Sequence, residues 1–239
     1  MENAGYTTLT RQVGLLREMS SVAQNIANMS TTGYRREGVI FSEFIRDLGP
    51  DDPSLSMAAG RVREPDMSVG AMSLTGAEFD LAIDGEGFFL IATPEGERLT
   101  RAGSFTRDAA GSLVTPDGYA LLDAGGAPVF APPDALRIAI APDGTLSADG
   151  IPLTQIGLWQ PIDPSQMIRA GGAQFVAEGG INPVDGGVIR QGYLESSNVN
   201  PVTEVTRMIE VQRAYELGQS LLERDDERIR AVIRTLGNG

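Results

Sequence analysis

The densest group of chemically able side chains is the run from Asp80 to Gly87, where Asp80, Asp84 and Glu86 stand beside Gly85 and Gly87. Closely spaced carboxylates suggest a calcium loop, which needs oxygen ligands at alternate positions and a closing bidentate Glu. Residue 82 is Ala and residue 88 is Phe, so the ligand ladder is broken and a hairpin turn is expected instead. Gly85-Glu86-Gly87 is too short for a dinucleotide fingerprint, which requires a third glycine and a following helix. Asp51-Asp52 is a second acidic pair. Glycosidic hydrolysis needs two carboxylates held roughly 5–10 Å apart around a cleft, and a proline-rich loop is a poor frame for that. Trp159 and Tyr119 are single aromatics in strand-like sequence, which suits core positions better than ligand platforms. No catalytic, cofactor-binding or metal-ligating residue is expected.

What is missing narrows the chemistry further. The chain has no histidine and no cysteine, and all 19 of its basic residues are arginines. The commonest general base, the Schiff-base amine, the phosphate-loop lysine and the usual zinc ligands are therefore absent. A net charge of −13 and a pI near 4.4 argue against a nucleic-acid partner, since no basic surface is available to neutralise phosphates. No apolar run approaches the ~18 residues of a membrane span. The opening MENAGYTTLTRQ has neither a basic n-region nor an apolar h-region, so a cleaved secretory signal is not expected.

Proline divides the 239 residues into three regions. None of the 14 prolines precedes Pro50 and none follows Pro201, so both ends are free to be helical while the middle is turn-rich. Near the front, Leu9, Val13, Leu16, Met19, Val22, Ile26 and Met29 recur at steps of three and four and predict one continuous apolar stripe on an amphipathic helix. At the back, Asn200 is placed as an N-cap, Pro201 at the first helical position and Glu204 in the first turn. Val202, Val205, Ile209, Tyr215, Leu222, Ile229, Val232, Ile233 and Leu236 follow at helical spacing, and Gly237-Asn238-Gly239 closes the helix. The polar run Glu223–Arg228 is expected to be solvated on all faces.

Between the ends, short apolar runs such as Phe79–Ile83 and Phe88–Ile91 alternate with turn signals at Thr93–Gly96, Asp108–Gly111, Pro116–Gly118, Asp123–Gly126, Pro142–Gly144 and Asp149-Gly150. That rhythm predicts a small all-β sandwich or barrel-like domain. Phe41, Phe44, Ile45 and Leu48 suit either a short helix or an extended segment, and Asp47–Gly60 reads as an exposed loop. The fold expected is α+β. Terminal helices form a coiled-coil-like domain over 1–33 and 198–239, an extended segment covers 34–75, and a mainly β domain over 76–197 is inserted between them. Two thin helices leave apolar surface uncovered unless other chains supply the cover, which favours a subunit of an assembly. The competing classes are a secreted β module that binds a ligand through helix-mediated dimers, and a carboxylate-dependent hydrolase.

Three stretches carry a more specific signal. Ser21–Glu37, SVAQNIANMSTTGYRRE, resembles the N-terminal signature of flagellar rod and hook proteins, with Asn25 and Asn28 at the helix end and Gly33-Tyr34 in the turn beyond it. Leu81–Leu122 is similar to the first β segment of that family. Gly192–Leu217 is similar to its C-terminal motif, in which Asn198 and Asn200 open the last helix and Gln212-Arg213 lie inside it. The resemblance implies an axial structural subunit of the bacterial flagellar rod that transmits motor torque, of the proximal type with the distal type as the alternative. It also implies an inner domain of terminal helices, an outer β domain facing the periplasm, and a hinge at Ser30–Gly33 before a spacer opening with Tyr34. Export through the flagellar type III apparatus without signal cleavage is a further implication. The partners would be inner proximal-rod proteins, the distal-rod protein and copies of the same chain, with no cofactor.

Overall fold

The computed structural model describes residues 2–46, 55–184 and 186–237. Leu48, Asp51-Asp52 and Asn238-Gly239 lie outside them. The chain divides into a helical unit, Met1–Ala27, Glu37–Asp66 and Asn200–Gly239, and a β unit, Asn28–Arg36 and Met67–Val199. The expected α+β architecture is present: an N-terminal helix, a mainly β middle, and a C-terminal helix packed against the first.

In the helical unit α1 (Glu2–Ala27) and α2 (Pro201–Gly237) lie antiparallel, and a hairpin of β1 (Glu37–Arg46) and β2 (Leu55–Pro65) packs on α1. The hairpin resolves the ambiguity at Phe41 to Ile45 in favour of a strand. It also corrects the expected loop at residues 55–60, which pair with β1. Asn200 caps α2 by accepting from the Val202 and Thr203 amides at 3.0 and 3.2 Å. The buried and half-buried positions of α2 include Glu204, Met208, Val211, Tyr215, Gly218, Leu222 and Asp225, with Ala214 and Ser220 beside them. Their steps of four and three are the seam of a two-stranded coil. The helix continues unbroken through Glu223–Arg228, where Arg228 pairs with Asp225 and Arg230 with Asp226.

The stripe expected on α1 is not one face. Leu9, Val13 and Leu16 are exposed, Met19 and Ile26 are half-buried, Val22 is buried and Met29 is exposed. The cause is the spacing: these residues average about 3.3 per step against the 3.6 of the helix, so the row winds around the axis. The face turned inward is instead carried by Gln12, Leu15, Glu18, Val22 and Asn25.

The β unit comprises β3 (Met72–Leu74), β4 (Leu81–Asp84), β5 (Phe89–Thr93), β6 (Gly96–Thr100), β7 (Thr106–Arg107), β8 (Leu113–Val114) and β9 (Ala120–Leu121). They are followed by β10 (Ile138–Ile140), β11 (Thr145–Ala148), β12 (Ile151–Gln155) and β13 (Trp159–Pro161). The last are β14 (Met167–Gly171), β15 (Gln174–Ala177), β16 (Ile181–Pro183), β17 (Val188–Gln191) and β18 (Tyr193–Glu195). A seven-stranded antiparallel sheet in the order β14-β15-β6-β5-β9-β8-β7 is accompanied by β10-β11-β12 and by the pairs β13-β16, β17-β4 and β18-β3. The run Phe88-Phe89-Leu90-Ile91 sits at the centre and is buried on both sides, because alternate side chains of a strand face opposite ways. Phe89 and Ile91 enter one core with Leu81, Phe105, Leu121 and Leu146, while Phe88 and Leu90 enter another with Leu99, Met167 and Phe175.

Asp84–Gly87 does not close a hairpin. Gly85 and Gly87 take φ of 114° and 105°, and the turn sends β4 and β5 to different partners: β4 pairs with β17, and β5 with β6 and β9. Asp84 pairs with Arg190 at 2.5 Å. Trp159 and Tyr119 pack against the two cores. Much of the acidity of the middle region serves turns. Asp108 accepts from the Ala110 and Ser112 amides, and Asp123 from Gly125 and Ala127. The Thr145 amide and hydroxyl hold Asp143 below the usual carboxylate value, and the Ser165 hydroxyl and amide do the same for Asp163.

At Gly103 a Cβ would lie 1.6 Å from the Leu81 carbonyl oxygen, and the same two residues share a 2.9 Å backbone hydrogen bond. Gly103→Ala is expected to destabilise the β unit by about 2–3 kcal/mol, read as a lower urea midpoint; an unchanged midpoint would show that the strand shifts freely.

Candidate functional site

Two arrangements stand out, one in each unit. In the helical unit Asn25 is fully buried. Its Nδ2 donates to the Glu37 carbonyl at 2.9 Å and to Glu204 Oε2 at 3.0 Å, while its Oδ1 accepts the Glu37 amide at 3.0 Å. A side-chain amide thus does for the first residue of β1 what a neighbouring strand would do, pairing both backbone groups. Ser21 donates to the same carbonyl at 3.0 Å. Glu18 meets Arg207 at 2.5 Å, and Gln12 donates to the Tyr215 carbonyl at 2.9 Å. The interior of the helical pair is therefore held largely by polar groups.

Its exterior carries large apolar side chains among the polar ones. On α2, Val202, Val205, Ile209, Ile229, Ile233 and Leu236 are exposed, along with Val232, Leu217 and Leu221, while Tyr215 and Leu222 are half-buried in the seam. On α1, Leu9, Val13 and Leu16 form an exposed row. Gln212 and Arg213 are also exposed, Gln212 donating to Glu216 at 3.0 Å.

In the β unit the segment beyond α1 is fixed in place. Asn28 accepts from the Thr31 hydroxyl at 3.1 Å, and Gly33 takes φ of 66°. A Cβ there would lie 2.3 Å from the Ala102 nitrogen, so both the turn and the close approach require glycine. Tyr34 and Arg35, expected to open a spacer, are wholly buried in this unit. Arg35 Nη1 donates to Glu195 Oε1 at 2.5 Å and to the Ser68 carbonyl at 2.8 Å. The Gly70 amide donates to the same Glu195 oxygen at 2.8 Å, and Arg101 Nη1 reaches the other at 3.2 Å. Arg101 also donates to the Gly85 carbonyl at 2.7 Å. Burial brings the Arg101 guanidinium down to about 10, so it remains charged at neutral pH. Asn198 accepts the Arg36 amide at 2.6 Å and donates to the Ser68 carbonyl at 3.0 Å. Arg169 stacks over the rings of Tyr34 and Phe175 at 4.3 and 4.6 Å.

Gly33, Tyr34 and Asn198 are thus brought together, while Asn25 and Asn200 belong to the helical unit. Sequence reasoning missed Arg35, Arg101 and Glu195, although all three lie inside the stretches that carry the resemblance. Nothing in the spacing of charged residues so far apart signals that they meet. Neither arrangement offers a nucleophile with an adjacent base.

The comparisons with known proteins agree with one another. Residues 190–235 match the family described as flagellar basal body rod FlgEFG protein C-terminal, and residues 82–148 match the flagellar hook protein FlgE/F/G D1 domain. The chain is 37% identical to the flagellar basal-body rod protein FlgF of Caulobacter vibrioides, covering 99% of both chains. It is 36% identical to the FlgF of Mesorhizobium japonicum over 100% of this chain and 99% of the relative. Identity to the rod protein FlgG of Bacillus subtilis is 28%, over 95% and 97% of the two chains.

Removing one partner from a buried ion cluster costs about 3–5 kcal/mol. Glu195→Gln, which strands Arg35 and Arg101 without their counter-charge, is expected to lose that much by denaturant unfolding; a loss under about 1 kcal/mol, the scale of a surface pair, would show that the cluster is not structural. Asn25→Ala should speed amide exchange at Glu37 and Gly38 while leaving protection of β5 and β6 unchanged. Unaltered exchange at Glu37 would refute the role given to Asn25.

Proposed function

The chain belongs to the flagellar basal-body rod protein family, and from that premise we propose that it is a structural subunit of the proximal segment of the rod. The observation that carries this is end-to-end similarity at 34–37% to proteins named FlgF, against 28–31% to those named FlgG. The basal-body rod is its location. Among the described residues no helix is long and apolar enough to cross a membrane.

The division into units supports a division of labour. The helical unit exposes apolar rows on both helices, and contiguous exposed apolar surface is what an assembling subunit carries. We assign it to the axial interior, against copies of the chain and neighbouring rod proteins on either side. The β unit, rich in carboxylates engaged in turns, is assigned to the periplasmic exterior, where like charge opposes adhesion. Side chains interlocked at crystal-like density transmit torque without slip. Passage through the type III export apparatus in an unfolded state is part of the same reading.

Deletion of the gene should abolish motility, with basal bodies that lack a complete rod. The sharper test is Val205→Asp with Ile209→Asp. Both positions are exposed in the free chain, so thermal stability should change by less than about 0.5 kcal/mol while motility is lost. Swimming cells with complete rods would overturn the assignment of this surface.

A further inference from the structure

One face of the seven-stranded sheet is covered over only part of its width. Residues directly opposite one another in an antiparallel pair share a face. Leu121, Ile91 and Arg98 are opposite across β9, β5 and β6, and Phe89, Thr100 and Gln174 across β5, β6 and β15. Phe89, Ile91 and Leu121 are wholly buried in the first core. On β6 and β15 the same face changes to Arg98, Thr100 and Gln174, which with Ile91 line a cleft of about 650 Å³. Asp117 and Tyr119 line it from the turn between β8 and β9, and Gly171-Gly172 from the turn between β14 and β15. Thr32 and Ser104 line it beyond the end of β6, where Gly33 approaches Ala102. All of these residues belong to the β unit.

The polar groups of the cleft divide into two sets. One set is engaged within the chain. Thr100 donates to the Ala173 carbonyl at 2.9 Å and accepts the Ala102 amide at 3.0 Å, and Thr115 accepts the Tyr119 amide at 3.1 Å. The Arg98 guanidinium is held by Glu95 and by Gln174 Oε1, the latter at 2.9 Å. The other set is unengaged: among the described residues no partner meets the Asp117 carboxylate or the hydroxyls of Thr32, Ser104 and Tyr119, three half-buried side chains. A hydroxyl both donates and accepts, and it rotates to suit its partner. An anion finds little here, because Glu95 already neutralises Arg98 and Asp117 adds a negative charge. An extended peptide needs a sheet edge or pockets for alternate side chains, whereas this cleft lies on a sheet face floored by Ile91 and alanines. Hydroxyls, one carboxylate acceptor and an aromatic ring complement a ligand that carries many hydroxyls on an apolar ring.

We propose that this cleft binds a short neutral oligosaccharide, with Tyr119 as its platform and Thr32, Ser104 and Asp117 as partners for its hydroxyls. The volume lies inside the range of about 300–1,000 Å³ typical of small-ligand sites. Binding is weak, since each hydrogen bond formed replaces one made to water. The inference goes beyond the rod reading and concerns the β unit alone. A subunit with this cleft has a contact with glycan in addition to its contacts with other rod proteins.

The test is a titration of the full-length protein with maltotriose and with tri-N-acetylchitotriose, read by saturation-transfer NMR. Saturable binding with a millimolar Kd is expected for at least one of them, and the preference tells whether the ligand carries acetamido groups or hydroxyls alone. Thr32→Ala combined with Ser104→Ala should weaken it about tenfold. The urea midpoint should stay unchanged, because neither hydroxyl holds another part of the chain. Undiminished binding in this double variant would place the saccharide elsewhere and overturn the assignment of the cleft. Displacement of the sugar by inorganic phosphate would overturn it in favour of an anion site at Arg98. No saturable signal from either trisaccharide at tens of millimolar would overturn the proposal outright. The rod reading is tested separately by gene deletion, so none of these results bears on it.

Discussion

Glu195 is the point on which the β unit's connections depend. Its carboxylate is wholly withdrawn from water and shared between Arg35, Arg101 and the Gly70 amide. Besides Arg101, the residues it gathers come from three stretches, around 33–36, 68–70 and 195–198, each close in sequence to a place where the chain passes to the helical unit. One acid serving two guanidiniums leaves Arg35 Nε and Nη2 and Arg101 Nε without acceptors. A buried ion cluster of that kind adds little net stability over an apolar substitute. Its physical effect is selectivity: the three stretches fit together in one way, because any other pairing leaves a charge stranded in a low dielectric.

The helical pair follows an inverted logic. Gln12, Glu18, Asn25 and Glu204 are buried between elements, while valine, leucine and isoleucine line the outside. Polar groups in a coiled-coil seam fix register at a cost in stability. Asn25 does this for two partners at once, setting both the level of α2 and the first pairing of β1. The exposed apolar side chains are the complement of that choice, since the burial the pair forgoes inside is available to whatever covers them.

How much of this was legible in the sequence depends on range. Asn200-Pro201 announced the start of α2, because capping is decided within four residues. The run Phe88–Ile91 announced a strand through composition alone. The hairpin expected at Asp84–Gly87 failed because the glycines gave the turn but not the partner, and β4 finds β17 more than a hundred residues away. The α1 row read as a single face because steps of three and four look helical even when their mean departs from 3.6. The clasp around Glu195 was hidden for the same reason as the β4 pairing. Charged residues carry no periodicity, and a buried arginine is indistinguishable in sequence from a solvated one.

Asn25 and Glu204, which touch, are 179 residues apart in sequence. Closing a loop of that length carries an entropic penalty that grows as the logarithm of its size, and such non-local contacts slow folding. The intervening β unit contains its own cores and shortens that loop once it has formed. The helical unit is then a late product, unable to pair its two helices until the structure between them exists. During that interval α1 is a single amphipathic segment whose only fixed partners are still being made, a kinetic window in which a neighbouring subunit competes with α2 for the same helix.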